Sequence, residues 1–180
     1  QQDPRNADIK ININDELFHR DQAVISVFDS GFILGDGIWE GLRMHNGVIP
    51  FLDKHMKRLW VGAKALDLDL GLEKDQLKRR LYGTLDANNM DDNVHIRLMV
   101  SRGIKATPYQ DPAVTISGPT IVIIPEYKNP DPTLNDRGIN LYTVYVRRGY
   151  ADVQDPRINS HSKLNCIFGC IQAAKAGADE

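Results

Sequence analysis

The chain has 180 residues and a formal net charge of −2, with 22 Lys and Arg set against 24 Asp and Glu. That length supports one domain and part of another, and that balance argues against a polyanion-binding surface, so nucleic acid is not an expected partner. No apolar run approaches the roughly 18 residues needed to span a bilayer, and the opening QQDPRNADIK lacks the apolar stretch of a signal peptide, so a soluble cytoplasmic protein with no membrane partner is expected.

In residues 8–17, Ile9, Ile11 and Ile13 alternate with Lys10, Asn12 and Asn14, which predicts a half-buried strand partnered by residues 23–27. Asp29, Ser30 and Gly31 are turn residues, and Gly35-Asp36-Gly37 supplies two positions free to take positive φ. The period then becomes two. Ile38, Glu40 and Leu42 point one way, and Trp39, Gly41 and Arg43 the other. Asn46-Gly47 is a hairpin signal that predicts residues 48–51 as the returning strand, with Trp39 and Arg43 presented on one face.

Asp53 reads as the N-cap of a helix through Leu66, because Met56, Leu59, Trp60, Ala63 and Leu66 recur at helical spacing. A second helix is predicted from Glu73 to about Ala87, with Leu77, Leu81 and Leu85 on one face and Asn88-Asn89 at its end. Residues 94–101 return to strand, with Arg97 inside it and Arg102 at its edge. Residues 107–119, rich in Pro, Gly, Ser and Thr, form a long loop of the kind that gates a site or meets a neighbouring subunit. The continuous apolar run 121–124 predicts a buried strand, and residues 125–138, with Pro125, Pro130 and Pro132, read as an interdomain linker.

The boundary is placed near Lys128, giving a small domain over residues 1–128 and the start of a second over 129–180. Residues 139–147 are expected to begin a second sheet. Ser160 or Ser162 is expected to cap a helix whose face is Leu164, Ile167, Phe168 and Ile171, with Gly177 as its stop. The two cysteines on that helix, Cys166 and Cys170, are too few for a disulfide framework and are expected as buried thiols, and the five histidines show no metal-ligand spacing.

The run DSGFILGDGIWEGLR, followed by FLDKHMKRL, resembles the class IV aminotransferases, the fold-type IV pyridoxal-phosphate enzymes that include branched-chain and D-amino-acid aminotransferases and aminodeoxychorismate lyase. The resemblance covers nearly the whole chain in the family's order. It implies an α+β fold, with a small N-terminal α/β domain, the first strands and helix of a larger C-terminal domain, and a cleft between the two for pyridoxal 5′-phosphate. It also implies a homodimer and transamination between an amino acid and a 2-oxo acid. Lyase chemistry, or a non-catalytic binding or dimerisation module on the same fold, are the alternatives.

Residue by residue, Arg58 in HMKRL matches the family arginine that binds the cofactor phosphate, while Trp39, Arg43 and Arg102 fall on the substrate side. D-amino-acid aminotransferases follow the TRG-like turn with an Arg and a His, where this chain has Ile104-Lys105-Ala106-Thr107-Pro108-Tyr109, which weakens a D-amino-acid reading. The family's Schiff-base lysine, in an I-K-S-x-N strand end, aligns with Asn159, whose amide cannot form an imine. Lys163, four residues on, is the candidate catalytic lysine, with Asn159 left at the cofactor and His161 a secondary candidate for proton transfer. Relatives continue for about another domain beyond a similar G-A-D-E, so a fragment of a longer protein is expected.

Overall fold

In the computed structural model, which describes residues 3–180, the chain reverses first at Asn14 and Asp15, where φ is 51° and 75°. Asn and Asp tolerate this left-handed region, and two such residues in succession make the tight connection that suits the twist of a hairpin. Strands β1 (Lys10–Ile13) and β2 (Glu16–His19) are therefore partners, with Ile13 opposite Glu16. This corrects the expectation of one strand over 8–17 paired with 23–27. Asn12 Oδ1 accepts the Asp15 N–H at 3.0 Å and locks the turn.

The chain divides into two compact units. The first runs through Asn129 and takes in Asn159–His161; the second comprises Pro130–Ile158 and Ser162–Glu180. In the first, Asp29 caps the short helix α1 (Ser30–Leu34), which ends at Gly35 with φ 68° and feeds β3 (Gly37–Met44). With β4 (Val94–Ser101) and β5 (Thr120–Tyr127), the strands form one antiparallel sheet in the order β2-β1-β5-β4-β3. This is the α+β architecture expected from the sequence.

The Asn46-Gly47 turn forms, but residues 48–51 do not return as a strand, and only His45 and Val48 bridge. Pro50 has no N–H to offer a ladder, and Phe51 at φ 57° turns the chain directly into helix α2 (Leu52–Ala65). Asp53 is thus in the first turn, not at the cap, where its charge still suits the helix N-terminus. The long partner of β3 is β4, paired over all eight residues. Helix α3 (Lys74–Asp86) begins as predicted at Glu73, whose N–H donates to Gln76 Oε1 at 2.7 Å.

Helices α2 and α3 cover one face of the sheet. Met56, Leu59, Leu77 and Leu81 pack there with Ile38 and Leu98, all at most 2% exposed, each contributing about 1.5–3 kcal/mol by burial. The apolar run 121–124 forms the expected strand, though it is not fully buried on both sides. Instead Ile121 and Ile123 are buried towards the helices while Val122 and Ile124 are half-buried on the other side, so the strand alternates like its neighbours.

In the second unit the helices are α4 (Leu134–Arg137), α5 (Ala151–Gln154) and α6 (Leu164–Lys175). No strand forms over 139–147. Asn140 and Tyr142 make main-chain hydrogen bonds with Asp179 and Glu180, but the alternation beyond them is not matched by a pairing segment, and Leu141 and Tyr145 are exposed. Lys163, not Ser160 or Ser162, occupies the cap position of α6. The predicted apolar face of α6, Leu164, Ile167, Phe168 and Ile171, is exposed, as are Cys166 and Cys170, contrary to the expectation of buried thiols. Among the described residues no helix is long and apolar enough to cross a membrane.

Candidate functional site

Strand β3 is the element on which the chemically distinctive side chains meet. Its entry is held tightly. Asp29 accepts the Gly31 N–H on Oδ1 and the Ser101 hydroxyl on Oδ2, both at 2.8 Å, while Asp36 receives Arg102 through Nε at 2.7 Å and Nη2 at 3.2 Å. Arg102 also donates to the carbonyls of Leu66 and Asp67, past the end of α2. Its guanidinium is thereby committed to joining the glycine turn to the helix, which is how it supports the strand.

On the face of β3 away from the helices, Trp39 and Arg43 lie together, as the alternation predicts. They are joined there by two residues of β4 that sequence reasoning does not single out as site residues, Arg97 and His95. Register places Gly41 opposite Arg97 and Arg43 opposite His95, and the Arg97 guanidinium stacks 4.0 Å from the centre of the Trp39 ring. Arg43 donates to the Lys128 carbonyl at 2.6 Å and stays exposed. Burial, followed by the nearby positive charges of Lys128, Arg97 and Arg43, pushes the His95 pKa down. The patch thus combines an aromatic surface, two fixed cations and a neutral imidazole.

On the opposite face the next residue, Glu40, is fully buried. Its Oε1 accepts Arg58 Nε at 2.8 Å, and its Oε2 accepts both Arg58 Nη2 and His55 Nδ1, the latter at 2.8 Å. His55 and Arg58 are three apart on α2 and so share the helix face that meets β3. Glu40 and His55 are not recognised from the sequence as site residues. The available signal is a carboxylate at an inward position between Ile38 and Leu42, where an unpaired charge is not tolerated.

Residues Asn159–His161 lie along the outer edge of β3, with Ser160 bridging Ile38. Trp39 N–H donates to the Asn159 carbonyl at 2.9 Å, Asn159 Nδ2 donates to the Trp39 carbonyl at 2.7 Å, and His161 N–H donates to the Gly37 carbonyl at 2.9 Å. The His161 ring donates Nε2–H to the Ile38 carbonyl at 3.0 Å, since a carbonyl can only accept, and its pKa is lowered, chiefly by burial. Asn159 and Arg58 therefore converge on two consecutive residues of β3, Trp39 and Glu40. Lys163 belongs to the second unit, where it opens α6 and is half-buried.

Residues 37–180 match the family model described as amino-transferase class IV. The chain belongs to this family. It is 37% identical over 177 residues to branched-chain-amino-acid aminotransferase-like protein 2 of Arabidopsis thaliana, covering 98% of this chain and 32% of that protein. In fold it is similar to a branched-chain aminotransferase from Thermoproteus uzoniensis solved with norvaline (TM-score 0.82, 23% identity, 96% of this chain and 58% of that one). It is also similar to the T.th. branched-chain amino acid aminotransferase solved with pyridoxamine 5′-phosphate (TM-score 0.84, 21% identity, 100% and 58%). This class IV chain thus spans about a third of the length of the Arabidopsis relative and 58% of each of these two solved chains.

Proposed function

We propose that this chain is part of a pyridoxal-phosphate-dependent aminotransferase, working as a homodimer on amino acids and 2-oxo acids of the branched-chain kind. The observation that carries the reading is Arg58. One edge of its guanidinium is clamped by buried Glu40, while 52% of the side chain remains exposed, so Nη1 is left as an oriented cationic donor. That donor set fits a phosphate group. The family membership and the T.th. neighbour, whose structure contains pyridoxamine 5′-phosphate, support the cofactor assignment.

When bound, the cofactor supplies an aldehyde and an electron-withdrawing ring that stabilises charge at the substrate α-carbon. The protein supplies the binding groups. Arg58 holds the phosphate, and Arg97 and Arg43 face the substrate carboxylate. Trp39, with Met99 beside it, offers apolar surface to a branched side chain. Arg102 keeps the glycine turn against α2. Residues 129–180 open the larger cofactor-binding domain, and Lys163 is the amine that would hold the cofactor's aldehyde.

Asn159 favours a second reading, a homologue that keeps the fold for binding or dimerisation without chemistry, because an amide at the family's lysine position forms no covalent link. One experiment separates the two. Full-length protein incubated with pyridoxal phosphate, reduced with borohydride and digested is expected to carry label on the peptide containing Lys163, and Lys163→Ala is expected to abolish it. Label scattered over surface lysines and indifferent to Lys163→Ala would leave the non-catalytic reading.

A further inference from the structure

Arg58 is held by a carboxylate that has no exposure to solvent, and this is not how a simple surface phosphate ligand is presented. Glu40 points from β3 into the helix face of the sheet, is 0% exposed, and accepts three hydrogen bonds, two from Arg58 and one from His55. A fork-to-fork pair of this kind fixes the plane of the guanidinium as well as its position. With the Nε and Nη2 edge taken, the remaining donors on Nη1 point away from Glu40. Fixing that orientation costs part of the electrostatic pull on an anion, because the carboxylate offsets the arginine charge. The pairing also raises the Arg58 pKa, through the hydrogen bond to Glu40 first.

We propose that Glu40 is a positioning residue for phosphate recognition: by gripping one edge of Arg58 it aims the other at the cofactor phosphate, with His55 steadying the carboxylate. The proposal rests on the cofactor reading above. It sets two effects against each other, since removing Glu40 frees the arginine charge but releases its orientation, and orientation governs. The amide of Glu40→Gln keeps the volume, but it has one acceptor oxygen where the carboxylate has two, and it turns an N–H₂ group towards the arginine donors. The guanidinium is then no longer gripped at both nitrogens.

The test measures the affinities of full-length protein for pyridoxal phosphate and for pyridoxal, which lacks only the phosphate, by absorbance or fluorescence titration. Arg58→Met is expected to cut the preference for the phosphorylated form by about tenfold or more, on the scale of a charge-assisted hydrogen bond. Glu40→Gln is expected to cut it by a similar factor, and the double variant to lose no more than Arg58→Met alone. A general loosening of the fold would weaken both ligands equally and leave the ratio unchanged.

If Arg58→Met lowers the ratio and Glu40→Gln leaves it within about twofold of wild type, the positioning role is overturned and the phosphate role of Arg58 survives. If Arg58→Met leaves the ratio unchanged, or the wild-type protein binds neither compound, the cofactor reading itself is overturned. Should Glu40→Gln fail to fold, Glu40→Asp keeps the charge but shortens the reach by one methylene, and the same loss of ratio is expected from it.

Discussion

Asn159 and Trp39 are tied in both directions: the asparagine Nδ2 donates to the Trp39 carbonyl at 2.7 Å, and the Trp39 N–H donates to the Asn159 carbonyl at 2.9 Å. The Asn159 side chain therefore acts as an extra rung on the edge of β3. A lysine there would forgo a bond worth about 0.5–1.5 kcal/mol and free a long amine to leave the strand edge. Asn159→Lys combined with Lys163→Ala is expected to restore borohydride-trapped label, now on the peptide spanning residue 159, and to raise transaminase activity above that of Lys163→Ala alone. An unlabelled double variant that still folds would show that this edge does not face the cofactor.

Gly37 leaves no room for a side chain. A Cβ there would lie 2.5 Å from both the Val100 carbonyl oxygen and His161 Cε1, and the first of these is main chain that cannot step aside. Gly37→Ala is expected to destabilise the protein by about 1–3 kcal/mol in urea unfolding. At Gly41 the corresponding contact is 3.3 Å from the edge of the Trp39 ring, so Gly41→Ala is expected to cost less and to disturb tryptophan fluorescence instead. Equal losses at the two positions would contradict the packing.

The lowered pKa of His161 has a consequence for stability against pH. The folded protein resists protonating a ring that is buried and donating through Nε2, whereas the unfolded chain takes up that proton near the ordinary histidine value of about 6.5. The unfolded state thus binds more protons between the two values, and stability rises with pH through that window. The contribution is present above about pH 6.5 and is lost as pH falls towards the folded value. His95, lowered by burial and by neighbouring cations, adds in the same direction. The fall in melting temperature from pH 7.5 to 5.5 is expected to be shallower in His161→Gln than in wild type. Parallel curves for the two proteins would rule out this contribution from His161.

Arg102 is 11% exposed and divides its donors between Asp36 and the carbonyls of Leu66 and Asp67. Arg102→Met strands the Asp36 carboxylate, which is itself only 18% exposed, and is expected to cost about 2–4 kcal/mol, towards the lower part of the range for breaking a buried pair. Chemical denaturation measures this directly. Unchanged stability with weakened amino-acid binding would instead make Arg102 a substrate ligand.

The local pattern of the sequence determined the elements whose burial has one clear period. The eight residues of β4, the face of α3 and the alternation that places Trp39 with Arg43 could all be read because each turns one apolar side to a single core. The motif around Gly35-Asp36-Gly37 and the arginine of HMKRL also carried the family, since those residue types stand at fixed spacing. Tertiary structure decided what depends on partners distant in the chain. Only folding brings Glu40 beneath Arg58, Arg97 over Trp39 and Asn159 onto the edge of β3, contacts that span from 18 to 120 residues and leave no local period. The same limit explains the errors. Residues 48–51 follow a hairpin signal and residues 139–147 have strand-like alternation, but a strand exists only where another backbone supplies its hydrogen bonds, and no pattern within one segment reports whether that partner is there.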